Sequence, residues 1–277
     1  MTVAAVSRCL NLLEILAGAR EPMDLSDLAT RLDIPPSAAH RLIATLSSHG
    51  WVIQDEGSQK YALSLRMSTL AFRNLDARNV PDFAQTVLDR LAARTQEYCR
   101  LSILEGSHLV WVARAQGAVQ GLRYDPDMGQ ELVLHATANG KAWLATLPEE
   151  EAISIVYSHG FNSNRELGPN CASTIDQLRE RLAETRKLGF GISVEEAEVG
   201  TAALAVTFRA GPAPDDPVIG TISIAGPTVR IRRDRWDELV AELRTAADEI
   251  SQYWPLRKRQ RQRGTKSMPL PKMAPSE

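Results

Sequence analysis

The segment from residue 37 to residue 45 carries side chains that are well suited to read a nucleic acid. Its outward positions, opposite an apolar helical stripe, are Ser37, Ala38, His40, Arg41 and Thr45. A guanidinium can donate two parallel hydrogen bonds to guanine or hold a phosphate, which makes Arg41 a strong candidate. Ser37 and His40 lie toward the N-terminal end, the end of a recognition helix that approaches base edges. These residues predict DNA binding; the alternative is a surface used only for protein contacts.

Two short helices would position these residues. Apolar side chains recur with helical spacing on both sides of a break at residues 33–36. The stripes are Leu25, Leu28, Ala29 and Leu32 before the break, and Ala39, Leu42, Ile43 and Leu46 after it. Asp24 and Asp27 resemble a capping box at the start of the first of these helices. The pattern predicts a helix-turn-helix.

A β-hairpin is predicted directly after these helices. Trp51 and Ile53 alternate with polar or outward residues, and Tyr61 and Leu63 do the same after a turn at residues 56–58. A helix-turn-helix followed by a hairpin is the arrangement of a winged helix, whose second helix fits the major groove of DNA.

Charge alone gives little support for DNA binding. The net charge is −2, and residues 1–66 hold six basic and seven acidic side chains, whereas a nucleic-acid-binding domain is usually basic. Contacts would therefore depend on local placement, with Arg8 in the preceding helix and Lys60 on the hairpin as further candidates. The tail at residues 255–277 holds seven basic residues and one acidic residue, and its polar composition predicts disorder.

The composition limits the class of protein. No apolar run approaches the ~18 residues of a membrane span, so no membrane partner is expected. The cysteines, Cys9, Cys99 and Cys171, are odd in number and far apart, which favours a reduced cytoplasmic compartment and no metal. Cys9 is expected to pack in the core beside Val6, Leu10 and Leu13. No cofactor is expected.

Motifs of catalysis are also lacking. The sequence holds no Gly-x-Ser-x-Gly elbow, and no phosphate-binding loop precedes Gly140-Lys141. Its five histidines show no metal-ligand spacing. Glu195, Glu196 and Glu198 follow a predicted strand, and we interpret them as a solvated turn. We therefore predict that the protein is not an enzyme.

The remaining pattern predicts a linker and a second domain. A linker helix covers residues 67–80 and ends at Val80-Pro81, because proline disfavours helix in the residue before it. Predicted helices follow at residues 82–97, 137–147, 174–188 and 234–254, and predicted strands at 101–104, 109–112, 204–208 and 218–225. The strands at 101–104 and 109–112 flank a four-residue loop. Strands bracketed by helices indicate a mixed α/β, α+β domain at residues 81–254, with helices on one face of its sheet.

The chain resembles the IclR family of bacterial transcriptional regulators over residues 4–254. The motifs that carry the resemblance are V-S-R-C-L-N-L-L-E-I-L in the first helix, the helix-turn-helix at 24–46, L-H-A-T-A-N-G-K-A-W-L-A at 134–145, T-R-K-L-G-F at 185–190 and G-T-I-S-I-A-G-P at 220–227. Their order along the chain makes the match specific. The resemblance implies a winged helix-turn-helix at residues 1–66, a GAF-like effector-binding domain with an antiparallel sheet, and a homodimer or dimer of dimers on operator DNA.

The family pattern also implies where the small-molecule effector binds. Backbone groups at Ala138 and Asn139 begin the helix after L-H-A-T, and facing strands contribute Ser193, Ala203, Ser223 and Ala225. Many relatives carry a cysteine where this chain has Ala203, a second serine at Ala225 and an aspartate at Ser193. Nearby apolar candidates are Trp111, Leu122, Leu134, Trp143 and Leu204, a mostly apolar lining with few polar groups. Trp111 and Trp143 could equally belong to the core, and His135 is interpreted as structural.

The replaced anchors indicate an effector that is larger or more apolar than a two- or three-carbon acid, because such an acid needs each buried donor paired. We predict an aromatic or otherwise apolar organic acid from a catabolic pathway, acting on a repressor. The alternatives are an unliganded dimerisation module and, third, a small-molecule enzyme.

Overall fold

The computed structural model describes residues 3–78, 81–126, 132–161 and 166–264. Side chains at 75–78, 81–83 and 255–264 are outside this description. The chain divides into two compact units, Met1–Arg78 and Asn79–Glu277.

The first unit is a helix-turn-helix with a two-stranded hairpin. Its elements are α1 (Ala4–Gly18), α2 (Leu25–Arg31), α3 (Pro36–Ser48), β1 (Val52–Gln54), β2 (Tyr61–Leu63) and α4 (Arg66–Arg78). Pro36 occupies the first turn of α3, where its fixed φ suits a helix start and its missing N–H costs nothing. The core of the unit is formed by Leu12, Leu16, Leu28, Ile43, Leu46, Val52 and Tyr61.

The apolar stripe of α1 faces differently from the prediction. The structure buries Leu12 and Leu16 of α1, whereas Val6 and Leu10 are more than half exposed. Cys9, predicted to be in the core, is half-buried. Several faces of α1 are apolar, so the spacing alone did not select the buried one.

In β1 the inward residue is Val52, and Ile53 is exposed, contrary to the predicted alternation. The pairing of Val52 with Leu63 and of Gln54 with Tyr61 sets this register. Tyr61 is buried, as the spacing on the second strand predicted.

The second unit is built on a five-stranded antiparallel sheet with strand order β4-β3-β7-β6-β5. Its strands are β3 (Tyr98–Glu105), β4 (His108–Gln116), β5 (Gly191–Val194), β6 (Thr201–Arg209) and β7 (Val218–Pro227). Its helices are α5 (Pro81–Thr95), α6 (Ala138–Leu144), α7 (Glu149–His159), α8 (Ile175–Leu188), a short 3-10 turn (Arg233–Arg235) and α9 (Trp236–Gly264).

Helices cover both faces of this sheet, so the prediction that they lie on one face is wrong. Alternate residues of β6, such as Leu204 and Val206, join the core formed with α5 and α9. The intervening Ala203 and Ala205 pack against α6 on the other face. The period of two along a strand therefore separates two sets of side chains.

The hairpin between β3 and β4 is tighter than predicted. Glu105 pairs with His108, so the loop is two residues long, and Gly106 takes a φ of +62° that glycine adopts without strain. Helix α7 was not among the predicted elements. Three glutamates in the first turn of α7 favour its formation through the helix dipole.

Helix α9 continues to Gly264, ten residues into the segment that was predicted to be disordered. Arginine, lysine and glutamine dominate this segment, and all three are good helix formers, so the composition that indicates disorder also favours helix. Residues 265–277 of the predicted tail lie outside the described residues. None of the described helices is long and apolar enough to span a membrane.

Candidate effector-binding and DNA-binding sites

The outward face of α3 carries the predicted DNA-binding residues. Ser37, His40, Arg41 and Thr45 are exposed and Ala38 is half-buried, while Ala39, Ile43 and Leu46 turn into the core. The Thr45 hydroxyl donates to the carbonyl of Arg41 over 2.9 Å, which fixes its proton within the helix. The face therefore offers a guanidinium, an imidazole and a hydroxyl in one exposed row.

The hairpin places Lys60 beside α2. Its Nζ lies 3.2 Å from Oδ2 of Asp24, and both side chains are about half exposed. Asp24 makes no side-chain cap bond, so the predicted capping box is wrong, and the carboxylate serves the hairpin instead. An exposed ion pair contributes only about 0–1 kcal/mol. Lys60 would therefore lose little if a phosphate took the place of Asp24. Arg8 is exposed on α1.

The hairpin turn is held by its own polar groups. Oδ1 of Asp55 accepts hydrogen bonds from the backbone N–H of Ser58 over 2.7 Å and from its hydroxyl over 2.6 Å. These bonds to the ionised form lower the pKa of Asp55. The guanidinium of Arg66 lies over the Trp51 ring at 5.7 Å, next to the base of the hairpin.

A small cup in the second unit collects most of the predicted effector-binding residues. It lies between the start of α6 and the sheet and encloses about 30 Å³. Its described lining consists of Arg100, Trp111, Tyr124, Thr137, Ala138, Asn139, Ser193, Ala197, Thr201, Ala202, Ala203, Ser223 and Ala225. The structure thus brings together seven of the residues that were predicted to bind the effector: Trp111, Ala138, Asn139, Ser193, Ala203, Ser223 and Ala225.

Four predicted lining residues are placed elsewhere. Leu204 is buried on the opposite face of the sheet, because it follows Ala203 in the same strand. Leu134 and Trp143 are buried in the apolar cluster that also includes side chains of α7 and α8. Leu122 is largely exposed, and its carbonyl accepts a hydrogen bond from the guanidinium of Arg230. None of the four lines the cup as the structure describes it.

Polar groups of the cup are tied to neighbours. The Ser193 hydroxyl donates to the carbonyl of Ala136 over 2.8 Å. The Asn139 amide donates to the Thr221 hydroxyl over 2.8 Å, and that hydroxyl lies 2.6 Å from Ser102. Thr137 caps α6 by accepting from the Gly140 N–H over 3.1 Å. The lining is therefore fixed before any ligand arrives.

Arg100 is a lining residue that the sequence argument missed. Only 9% of it is exposed, and its Cζ lies 3.9 Å from the centroid of the Trp111 ring. In the β3–β7 register it stands directly across from Ser223, which places both on the cup face of the sheet. A charged residue inside the apolar run of β3 was the available signal.

A loop that contributes Tyr124 to the cup is held in place by charge and by hydrogen bonds. Glu97, which is buried, accepts two bonds from Arg230 at 2.8 Å each. Arg230 in turn donates to the Leu122 carbonyl, and the Gln116 amide donates to the Tyr124 carbonyl over 2.8 Å. The loop is thus anchored to β3, β4 and the segment after β7.

A buried ion pair supports the other side of α6. Nζ of Lys141 lies 2.5 Å from both carboxylate oxygens of Glu196, and neither residue is more than 4% exposed. Burial lowers the pKa of Lys141 and raises that of Glu196, and each partner's charge opposes the change. The prediction that Glu196 belongs to a solvated turn is therefore wrong. The pair fixes α6 to the loop that supplies Ala197.

His135 lies next to this pair. It is buried, and its ring centroid is 5.0 Å from that of Phe161. Burial and the nearby charge of Lys141 lower its pKa, so the folded protein holds it neutral. The described side chains form no cluster of three or more residues that could hold a metal ion.

Comparison with known proteins covers both units. Residues 72–252 match the family described as "Bacterial transcriptional regulator IclR C-terminal", and residues 5–56 match the "IclR helix-turn-helix domain". The chain is 31% identical to the HTH-type transcriptional regulator KdgR of Escherichia coli K12 over 90% of its length and 92% of the relative's. It is 29% identical to the transcriptional repressor IclR of the same organism, covering 90% and 89% of the two chains.

A solved structure is similar over nearly the whole chain. It is an IclR homologue from Microbacterium hydrocarbonoxydans complexed with 4-hydroxybenzoate. The sequence identity is 25% and the TM-score 0.69, with 89% of this chain and 97% of that one covered.

The buried Lys141–Glu196 pair predicts a non-additive mutant cycle. Lys141→Met should lower the free energy of unfolding by about 3 kcal/mol, because it leaves a carboxylate buried without its cation. The double variant Lys141→Met, Glu196→Leu should regain most of that loss. Urea denaturation measures both. Arg179→Met, which breaks the exposed pair with Glu149, is the control and should cost less than about 1 kcal/mol. Additive losses in the double variant would contradict the analysis.

His135 predicts a loss of stability in acid. Its pKa is lowered in the folded state, so the unfolded chain binds the proton more readily once the pH falls below about 6.5. The free energy of unfolding should therefore fall as the pH is lowered from about 6.5. His135→Gln should make the pH dependence shallower in denaturation curves at pH 5 to 7. An unchanged dependence would rule out this residue as the cause.

Proposed function

The chain belongs to the IclR family of bacterial transcriptional regulators, and we propose that it is a cytoplasmic repressor controlled by an aromatic or otherwise apolar organic acid. Family membership makes it a DNA-binding regulator with an effector-binding domain. The catalytic alternative is not favoured, since the relatives are named as transcriptional regulators. An unliganded second domain is not favoured either, since a similar protein was solved with 4-hydroxybenzoate.

The lining of the cup is the observation that carries the proposed effector class. Alanines at 138, 197, 202, 203 and 225 line the cup together with Trp111, so a continuous share of the surface offered to a ligand is apolar. The hydroxyl of Ser193 is already engaged with the carbonyl of Ala136. A ring would gain apolar contact with the methyl groups and the indole, and a two-carbon acid would leave that surface unused.

Binding as a homodimer, or as a dimer of dimers, is supported by exposed apolar side chains of the first unit. Val3, Val6 and Leu10 of the α1 region are each more than half exposed, as are Leu65 and Phe72 around α4. A helix that exposes several large apolar side chains gains free energy by packing against a second copy. The name of the related repressor IclR supports the sign of regulation.

Operator reading is proposed for the exposed face of α3. Arg41 would bind a base edge, with Ser37, His40 and Thr45 beside it and Ala38 close to the groove floor. Lys60 would exchange Asp24 for a phosphate, and Arg8 would hold the backbone. Each of these groups except Ala38 and Thr45 presents a hydrogen-bond donor on the surface of the first unit, and the Thr45 hydroxyl oxygen can accept a bond.

The effector proposal predicts a selective thermal stabilisation. Benzoate-type acids should raise the melting temperature, because a ligand at 100 times its Kd stabilises the folded state by about 2.7 kcal/mol. Glyoxylate and pyruvate should not. Differential scanning fluorimetry of the full chain measures this. A shift with the small acids alone would refute the proposed class.

The DNA proposal predicts a specific loss in an Arg41→Ala variant. An operator selected from random duplexes with the full chain should bind the variant more weakly by about 1–3 kcal/mol if the contact is bidentate. Fluorescence anisotropy at fixed salt measures the Kd. Arg20→Ala, exposed between α1 and α2, is the control and should keep the affinity within about twofold. Equal affinities for the Arg41→Ala variant and the wild type would refute base contact.

A further inference from the structure

We propose that the cup recognises a hydroxyl group on the body of the effector, and that the side-chain oxygen of Asn139 accepts the hydrogen bond from it. This inference rests on the proposed function, in that the effector is an aromatic acid that enters the cup. It adds a hydrogen-bond donor to the required chemistry of that acid. The family resemblance implied a role for the backbone of Asn139, whereas the side chain is assigned by neither the family match nor the similar proteins.

Four polar side chains of the cup already donate a proton to a partner inside the protein. The hydroxyls of Ser193, Thr137 and Thr201 donate to backbone carbonyls over 2.8, 2.9 and 2.8 Å. The amide nitrogen of Asn139 donates to the Thr221 hydroxyl over 2.8 Å. A hydroxyl whose proton is used in this way keeps only its lone pairs, which accept hydrogen bonds. These side chains therefore offer acceptors, and the matching group on a ligand is a donor.

A buried chain of hydroxyls holds the amide of Asn139 in one orientation. The hydroxyl of Thr221, which receives the amide N–H, lies 2.6 Å from that of Ser102, and both residues are fully buried. Asn139 itself is only 3% exposed. Because the nitrogen faces Thr221, the oxygen on the other branch of the amide points away from Thr221. The chain therefore determines which end of the amide a ligand meets.

The amide oxygen of Asn139 is open to the cup. It accepts no hydrogen bond from the residues that the structure describes, and it is not one of their side-chain atoms that are buried without a partner. An atom that has neither a partner nor a complete cover of packed protein faces open space, and the described cavity that Asn139 lines is the cup. Buried carbonyl oxygens are nearly always hydrogen-bonded. A ligand that fills the cup therefore either brings a donor to this oxygen or leaves it unpaired.

The sheet places this acceptor beside an aromatic surface. Ser102 stands across from Thr221 on β7. On its other side, Ser102 stands across from Trp111, because β4 bulges between the partners of Leu101 and Ser102. Residues that stand across from each other share a face of the sheet, so Trp111 lies on the face that carries the hydroxyl chain. An acceptor next to an indole matches a hydroxyl on a flat apolar body, as in a phenol.

The test compares acids that differ only in the donor. Full-length wild type should bind 4-hydroxybenzoate or its 3-hydroxy isomer about 10-fold more tightly than the corresponding methylbenzoate in calorimetric titrations. The methyl group fills the same space as the hydroxyl and leaves the acceptor unpaired. Asn139→Ala should bind the methylbenzoate at least as tightly as the hydroxybenzoate, because the phenol then loses its partner. Asn170→Ala is the matched control and should keep the wild-type preference, since that amide donates to the Val194 carbonyl outside the cup.

A second variant tests how the amide is held. Thr221→Val keeps the shape of the side chain and removes the hydroxyl, so the amide of Asn139 loses the bond that fixes its orientation. The preference for the hydroxybenzoate should fall below about threefold, while the affinity for the methylbenzoate stays within about twofold of wild type. Thr207→Val, directly across from Thr221 on β6, is the control and should leave both affinities unchanged.

The results separate this inference from the proposed function. If wild type binds the hydroxybenzoates and the methylbenzoates equally well, the donor requirement is refuted and the effector class stands. If Asn139→Ala keeps the wild-type preference, Asn139 is not the acceptor. Melting curves without ligand identify a variant that does not fold. If Asn139→Ala is such a variant, Thr221→Val decides, and an unchanged preference in it refutes the inference.

A wild type that binds no aromatic acid would refute the effector class and leave the acceptor to be judged on smaller ligands. Lactate and propionate then form the pair, because they have the same number of carbon atoms and lactate adds a hydroxyl. Wild type must bind lactate more tightly than propionate, and Asn139→Ala must lose that difference. Equal binding of the two by wild type, or an undiminished difference in Asn139→Ala, would refute the acceptor as well.

Discussion

The close approach of α6 to the sheet is the constraint on which the second unit depends. A Cβ on Gly191 would lie 2.1 Å from the carbonyl oxygen of Ala138, and one on Gly140 would lie 2.1 Å from that of Leu134. Ala203 and Ala205 present only methyl groups to the helix. Backbone can therefore approach backbone, and all seven residues of α6 are buried. A larger side chain at Gly191 would separate the helix from the strands that form the cup, and one at Gly140 would collide with the segment that precedes the helix.

This approach explains the other unusual features of the unit. A helix buried on every side leaves Lys141 without access to water, so the lysine requires an internal partner, and Glu196 provides it. The carboxylate in turn brings the loop after β5 against α6. Packing of the helix, pairing of the charges and closure of the cup are consequences of one another. The cost of burying two charges is offset only while both partners are present.

The sequence predicted the arrangement of elements better than their faces. The predicted helix at 174–188 agrees with α8, because Thr174 caps its start and Gly189 ends it through local backbone geometry. The family resemblance identified α6 and the strands of the cup. The buried face of α1 and the inward residue of β1 were not identified, because neighbouring apolar residues compete and tertiary packing decides between them.

Arg100, which was not predicted for the cup lining, and Leu204, which was predicted for it but lies elsewhere, show two different reasons for error. Leu204 follows Ala203 in a strand, so simple alternation would have excluded it from the cup. Arg100 needed more than alternation, since its stack on Trp111 exists only because of the bulge in the partner strand. Register irregularities arise from pairing between strands, and no single segment of the sequence contains them.

The alternation along β6 and β7 has a consequence for how this protein can change over evolutionary time. Ala203, Ser223 and Ala225 line the cup, and the neighbouring Leu204, Ile222 and Ile224 belong to the core on the other face. Residues that recognise the ligand and residues that stabilise the fold are thus neighbours along the same strands. Mutation can alter one set while selection preserves the other, which allows a single scaffold to acquire new chemical specificities without losing its fold.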